Sequence, residues 1–412
     1  MAIRPEEVRK QFPALKGDIV FFDNPGGTQV PVQVIDRMVA YLRGTNANHG
    51  GAFETSRRSD EIIDQARGAM ADFFNASDPA EVVFGPNMTS LTFNLSRSLA
   101  LEFKAGDELI VTRLDHDANI SPWLKIAEER GVQVHWLDFD VEDCTLKLDQ
   151  LDRLLSDRTR LVAVGYASNA VGTINPVEEI IQRAHAVGAL TYIDAVQYAP
   201  HGPLDVQALD CDFLVVSTYK FFGPHVGVLY GKRSLLNRLN AYRVRPAPSE
   251  PPGKFETGTQ NHEGIAGVLG ALEYLAALPG PPDTGSQEEQ KSTLKRAMQS
   301  IQTYELELSK HLLNTLRTVP GLRIWGLQGP ETITQRVPTV SFTLKGHHPR
   351  AIASYLGEHG IYTWDGNYYA LAVTRRLGVE DQGGMLRVGL THYNTTEEID
   401  RLGESLQALA EA

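Results

Sequence analysis

Apolar positions along this chain follow two alternating periods. The stretch "SDEIIDQARGAMADFF" sets Ile62, Ile63, Ala66, Met70 and Phe73 on one helical stripe. By contrast "DELIVTRL", "RLVAVGYA", "LTYIDAV" and "DFLVVST" are short unbroken apolar runs, rich in Val and Ile, of the kind that suits strands covered on both faces. Between two of these runs "NPVEEIIQRAHAVGAL" predicts a helix with Asn175 as N-cap, Pro176 at the first helical position and Gly188 near the stop. Strand, helix, strand in repetition predicts an α/β domain with a largely parallel sheet.

The pattern changes at "LPGPPDTGSQEEQ", residues 278–290, which is dense in proline, glycine and charge. Beyond it "STLKRAMQSIQTYELELSKHLLNTLRTVPGL" predicts a long helix. The short strands "TVSFTL" and "MLRVGLTHY" follow, then a helix opened by the capping-box pattern Thr395-x-x-Glu398. The expected organisation is a large α/β domain over residues 20–285 and a smaller α+β domain built from residues 1–19 and 286–412.

Composition narrows the function classes. With 412 residues, 42% hydrophobic and 22% charged, the chain is an ordinary globular protein with enough length for more than one domain. Its formal net charge of -12 argues against general binding to nucleic acid or anionic membranes. The two cysteines, Cys144 and Cys211, are too few for a disulfide scaffold, have no metal-ligand spacing and fit a reducing compartment. The N-terminus lacks the apolar core of a signal peptide and no apolar run reaches the length of about 18 residues that a membrane span needs. A cytoplasmic location is the expectation.

Several polar residues stand where apolar strands stop. Asp194 ends "LTYID" and Gln197 follows it; Ser168 and Asn169 follow "LVAVGYA"; His116 follows "IVTRLD"; Ser217, Tyr219 and Lys220 follow "FLVV". Each alone has a plain structural reading: a strand-end carboxylate caps a helix, an asparagine makes a turn, a lysine lays its stem on the surface. Together they suggest one site, because ligands of open α/β sheets bind outside the carboxyl ends of the strands. Pyridoxal phosphate asks for this set. Its aldehyde needs a lysine, its ring nitrogen an acid, its ring a flat partner, and its phosphate the amides of a helix N-terminus. "FGPNMTSLTFNL" supplies the last with a Gly-Pro turn and Asn87-Met88-Thr89 opening a helical pattern.

The motifs "YIDAVQYAPH" and "STYKFFGPHVGVLYG", with "FFDNPGGTQVP", "DHDANISPW", "SNAVGTINP", "KFETGTQN" and "LRVGLTHYNTTEEID", resemble the cysteine desulfurase-like group of the class V aminotransferase family across nearly the whole chain. These are fold-type I pyridoxal phosphate enzymes. The resemblance implies a large domain with a mostly parallel seven-stranded sheet and a smaller α+β C-terminal domain. It implies that Lys220 holds the cofactor, Asp194 pairs with the ring nitrogen and His116 stacks on the ring. Gln197 and Asn169 would lie near the phenolic oxygen. Thr89, Ser217, Tyr219 and the Met88 backbone would hold the phosphate, helped by Thr259 of a partner subunit in a homodimer. Arg387 would bind the substrate carboxylate, with Asn24 beside it.

The chain also departs from that pattern. The family usually has histidine before its lysine, and here Tyr219 stands there. Cysteine desulfurases proper carry a persulfide-forming cysteine on a loop that corresponds to "GIYTWDGNYYALAV", where Tyr369 takes its place. Half of the aromatic stripe Tyr362, Trp364, Tyr368, Tyr369 is expected in the core, and the rest against a substrate larger than cysteine. "NANHGGAFETSRR" differs too; its glycines and His49 approach substrate or lead into a helix. The expected function is a lyase cleaving a C–S or similar β-bond of an amino acid, with an aminotransferase or epimerase as the alternative. An amino-acid sensor fused to a DNA-binding domain is not expected, since the net charge is -12 and the first motif lies about 20 residues from the start.

Overall fold

The computed structural model describes residues 3–278 and 287–411. Strands run in chain order as β1 (Val20–Phe21), β2 (Val82–Gly85), β3 (Glu108–Thr112), β4 (Gln133–Leu137), β5 (Thr159–Gly165), β6 (Leu190–Asp194), β7 (Phe213–Ser217), β8 (Gly227–Gly231), β9 (Leu322–Trp325), β10 (Thr339–Leu344), β11 (Ile361–Tyr362), β12 (Trp364–Gly366) and β13 (Met385–Gly389). Seven of them form the large sheet in the order β2-β8-β7-β6-β5-β3-β4. Only β8 is antiparallel to its neighbours. The four unbroken apolar runs are its central strands. Alternate residues serve opposite cores: Leu214 and Val216 face one hydrophobic cluster, Phe213 and Val215 the other. That two-sided burial is why these runs carry no polar alternation.

The smaller unit is an antiparallel sheet, β12-β13-β10-β9, packed on helices Gln287–Arg317 and Thr396–Glu411. Thr395 Oγ1 accepts from the Glu398 amide and the Glu398 carboxylate from the Thr395 amide, the reciprocal capping that the sequence predicts. The Gln287–Arg317 helix serves both cores, giving Leu294, Met298 and Ile301 to the large domain and Leu308, Leu312 and Leu316 to the small one.

Three sequence expectations are corrected. Strand β1 pairs with β11, and Phe22 lies in the small domain's core, so the chain leaves that unit after Phe22 and not at residue 20. The preceding segment belongs to the large domain: Val8, Phe12 and Leu15 join its core, with Phe12 edge-on to Phe222, Tyr274 and Tyr393. Asn175 does not cap its helix, which starts at Val177 with Pro176 as N-cap. The Asn175 amide instead donates to the Gly165 carbonyl at 2.7 Å, bracing the end of β5. The expected boundary at 285/286 lies outside the described residues.

Because Phe12 is 1% exposed and packs edge-on to four aromatic rings, one of them in the lysine loop, its truncation should open a cavity. Phe12→Ala is expected to cost about 3–5 kcal/mol. Urea unfolding measures this, and a loss below about 1 kcal/mol would mean the segment is not part of the core.

Candidate active site

A cavity of about 910 Å³ opens at the carboxyl ends of β3, β5, β6 and β7, where the small sheet meets the large one. The volume suits a cofactor with substrate. Asp194 is the last residue of β6 and Lys220 closes a single helical turn after β7, so both are fixed by buried strands. His116 follows β3, and Asn169 follows β5. Arg387 comes from β13, between β10 and β12, and reaches across the junction.

The electrostatics follow from desolvation. Lys220 Nζ donates to the Pro25 carbonyl and lies 4.9 Å over the Tyr219 ring. Burial, reinforced by the nearby Arg387 cation, pulls its pKa down to about 7. His116 Nδ1 accepts from the Ala118 amide at 2.9 Å, which places its proton on Nε2. Burial and the two cations hold that ring neutral, with a pKa near 4. Asp194 Oδ1 accepts from the Val196 amide at 2.9 Å, and burial pushes its carboxyl up to about 6. Arg387 is clamped: Nη2 pairs with Asp23 at 3.2 Å, Nη1 donates to the Asn169 carbonyl at 3.0 Å, and the guanidinium lies 4.4 Å over the Tyr368 ring.

The proposed phosphate end is the start of the Met88–Ala100 helix. Asn87 caps it by accepting from the Ser90 amide at 2.8 Å, and the Met88 amide donates to Ser217 Oγ at 3.0 Å. Thr89 and Tyr219 line the cavity beside them. Gln197 also lines it while donating to Thr339 Oγ1 of the small sheet at 3.1 Å, and the Asn169 amide donates to the Tyr368 carbonyl at 2.9 Å. The residue set fits pyridoxal phosphate. The cavity offers a lysine with a neutral amine, a buried acid in want of a cation, a flat neutral ring and a capped helix start. Two buried polar atoms, Asn169 Oδ1 and Arg387 Nε, also lack a partner among the described residues.

Three predicted residues lie outside this cavity, of which Ser168 is buried with its hydroxyl donating to the Leu114 carbonyl at 3.4 Å. Asn24 is buried and fully engaged: its amide donates to the Phe21 and Gly389 carbonyls and to Asn394 Oδ1, and its oxygen accepts from the Tyr393 hydroxyl. It ties the N-terminal strand to β13. Its neighbour Asp23 is the residue that reaches the site. A Cβ at Gly26 would fall 2.3 Å from Asp23 Oδ2, so only glycine lets that carboxylate fold inward. Thr259 is exposed and does not line the cavity of its own chain.

Among the cavity residues that sequence reasoning missed are Asp23, Asp115 and His225. Asp115, adjacent to His116, accepts from the Gly165 amide, Thr112 Oγ1 and Asn119 Nδ2 at 2.8–3.0 Å. Burial, with the Asp194 charge close by, raises it to about 7. Its signal was available, as a carboxylate between Leu114 and the histidine.

In the aromatic loop Tyr368 is buried while Trp364 and Tyr369 are exposed at the cavity mouth, with Tyr369 stacked on His116 at 5.7 Å. Tyr362 pairs with β1 and stays outside. The segment around His49 serves as the loop leading into the Glu54–Phe74 helix, its Gly51 amide bonded to Ser56 Oγ at 2.7 Å. Neither cysteine lines the cavity. Both are buried in the large core, with burial raising the Cys144 thiol to about 12 and the Cys211 thiol upward as well.

Fold and site together define a pyridoxal phosphate enzyme whose lysine lies between two sheets. The sequence signature described as aminotransferase class-V matches residues 20–402, and the chain belongs to that family. It is 36% identical to a cysteine desulfurase of Pectobacterium carotovorum over 98% of this chain and 97% of that protein. It is 34% identical to an aminotransferase-like protein of Gibberella zeae over 98% and 97%. A cysteine desulfurase of Synechococcus elongatus matches at 35% over 98% of this chain, which spans 63% of that longer relative. Among solved structures, the apo cysteine desulfurase of Thermococcus onnurineus superposes with a TM-score of 0.88 at 27% identity, covering both chains completely. The Escherichia coli cysteine desulfurase CsdA gives 0.85 at 28%, covering 100% of this chain and 99% of that one. This is a cysteine desulfurase-like class V protein that depends on pyridoxal phosphate. Among the described residues no helix is long and apolar enough to cross a membrane.

An amine attacks an aldehyde only when neutral. With the Lys220 pKa near 7, attachment of pyridoxal phosphate to the cofactor-free protein should reach half its limiting rate near pH 7 and level off above it. Stopped-flow absorbance measures this. A rate still climbing through pH 9 would return the amine to its ordinary value.

Proposed function

We propose that the protein is a β-lyase that cleaves a C–S or similar bond at Cβ of an amino acid, without relaying sulfur through a cysteine of its own. The observation that carries this reading is the cavity's lining. It holds the lysine, acid and arginine of the family and, among the described residues, no thiol. A tyrosine at position 369 cannot carry a persulfide, so sulfur leaves with the product fragment. Bound pyridoxal phosphate supplies an aldehyde for the substrate amine and an electron sink for the charge that develops at Cα.

The chain's own residues do the rest. Lys220 Nζ, partly neutral at pH 7, takes the Cα proton and hands it to the departing sulfur. Asp194 supplies the negative charge that keeps a ring nitrogen protonated. Arg387 offers the substrate carboxylate its unpaired Nε in a site where Asp23 and Tyr368 already fix the guanidinium plane. Trp364 and Tyr369 at the mouth favour a side chain larger than that of cysteine.

Product analysis tests the reading. Pyruvate and ammonia from S-substituted cysteines are the expected products, and Arg387→Ala should lower kcat/KM about ten- to a hundredfold. Amine-form cofactor without pyruvate would replace the lyase by an aminotransferase, in line with the Gibberella relative. Exchange of the Cα proton with inversion would make it an epimerase.

We also propose a homodimer in which Thr259 serves the partner's site. Its exposure away from its own cavity supports this, as does the half-exposed stripe Val32, Ile35, Val39 and Leu42 along one face of the Val32–Gly44 helix. Sedimentation should give twice the chain mass of 45.4 kDa, and a monomer that retains cofactor and turnover would refute it.

A further inference from the structure

The turn after Lys220 is strained and tightly tied. Phe222 is fully buried with φ of 71°, a conformation rare for a bulky aromatic residue. The Thr218 amide donates to the Val226 carbonyl at 2.8 Å, the Gly223 amide to the Thr218 carbonyl at 2.9 Å, and the Phe222 amide to Thr28 Oγ1 at 2.8 Å. Strain held in place by this many bonds points to something the turn must position. What it positions is His225. The exposed imidazole lies flat against the Tyr219 ring, 4.8 Å between centroids and 17° between planes, and it lines the same cavity as Asn87, Met88, Thr89 and Ser217. Two residues on, β8 is pressed against the start of the Met88–Ala100 helix so closely that a Cβ on Gly227 would fall 2.4 Å from the Asn87 carbonyl carbon.

The charges of the cavity single this residue out. Four basic side chains line it: Lys220, Arg387, His116 and His225. Lys220 is committed to the aldehyde, Arg387 is paired with Asp23, and His116 is held neutral. A phosphate ester carries about -1.5 to -2 at neutral pH, more than one helix terminus offsets. His225 has no hydrogen-bond partner among the described residues, and the strand it leads into packs against the helix terminus at Gly227. A ring stacked face-on still presents its two nitrogens at the edge.

We infer that His225 is a ligand of the cofactor's phosphate, so that the imidazole missing from position 219 is supplied from six residues downstream, with Tyr219 as the platform that orients it. The inference rests on the cofactor and not on the reaction, so it stands or falls separately from the lyase reading.

Dissociation constants for pyridoxal phosphate and for pyridoxal, which lacks the phosphate, test it in the wild type, His225→Ala and His225→Gln by absorbance titration of the cofactor-free protein. His225→Ala should weaken pyridoxal phosphate about ten- to a hundredfold and leave pyridoxal within about twofold. His225→Gln, which keeps an N–H donor on a more flexible side chain, should fall between. Equal weakening of both ligands would reduce His225 to a structural role and overturn the inference, as would no change in either. Should the alanine variant not fold, the glutamine variant alone decides by whether its ratio of the two constants drops.

Discussion

One partly desolvated amine organises this molecule. In bulk solution a lysine at pH 7 is neutral in about one molecule in 2,500; with a pKa near 7 it is neutral in about half. That difference comes from lodging Lys220 where two sheets meet, against the Pro25 carbonyl and the Tyr219 ring, with Arg387 adding a repelling cation. Both domains contribute to its burial. The large sheet supplies the strand end, the small sheet supplies the arginine, and the segment after β1 supplies the lid of backbone.

The polar seam between the units follows from the same requirement. A junction that buries charge has to satisfy backbone groups on both sides. Here the small sheet reaches across with Arg387 to the Asn169 carbonyl, Arg336 to the Val171 carbonyl and Ser341 to the Ala170 carbonyl, while Gln197 answers to Thr339. The loop after β5 is thus bonded to the opposite domain along much of its length. Asp23 has a double effect: it neutralises Arg387 and so limits how far that cation can depress the lysine.

The strands of the large sheet were legible because two-sided burial writes itself as an unbroken apolar run. The site's strand-end residues were legible because polar groups at the ends of such runs need a reason. Position 24 was misread because the motif's asparagine is the more conspicuous side chain, yet the neighbouring aspartate, freed by Gly26, is the one that turns inward. His225 escaped because nothing local marks it; only the strained turn at Phe222 folds it back onto Tyr219. The boundary near residue 20 escaped for a similar reason. Two-residue strands such as β1 and β11 leave too little periodicity to read, and their pairing is a property of the tertiary fold.

The pairing of β1 with β11, and of Asp23 with Arg387, also sets an order of events during synthesis. The two members of that ion pair are 364 positions apart. At about 5–20 residues per second a ribosome needs roughly 20–70 s to make that stretch. Once β8 has been made, at residue 231, the large sheet can form with Lys220 in place, while the strand that will shelter the lysine still has no edge to join. The nascent protein therefore passes through a stage in which its amine is open to water and ordinary in its basicity. Reactivity arrives last, with the C-terminal strands.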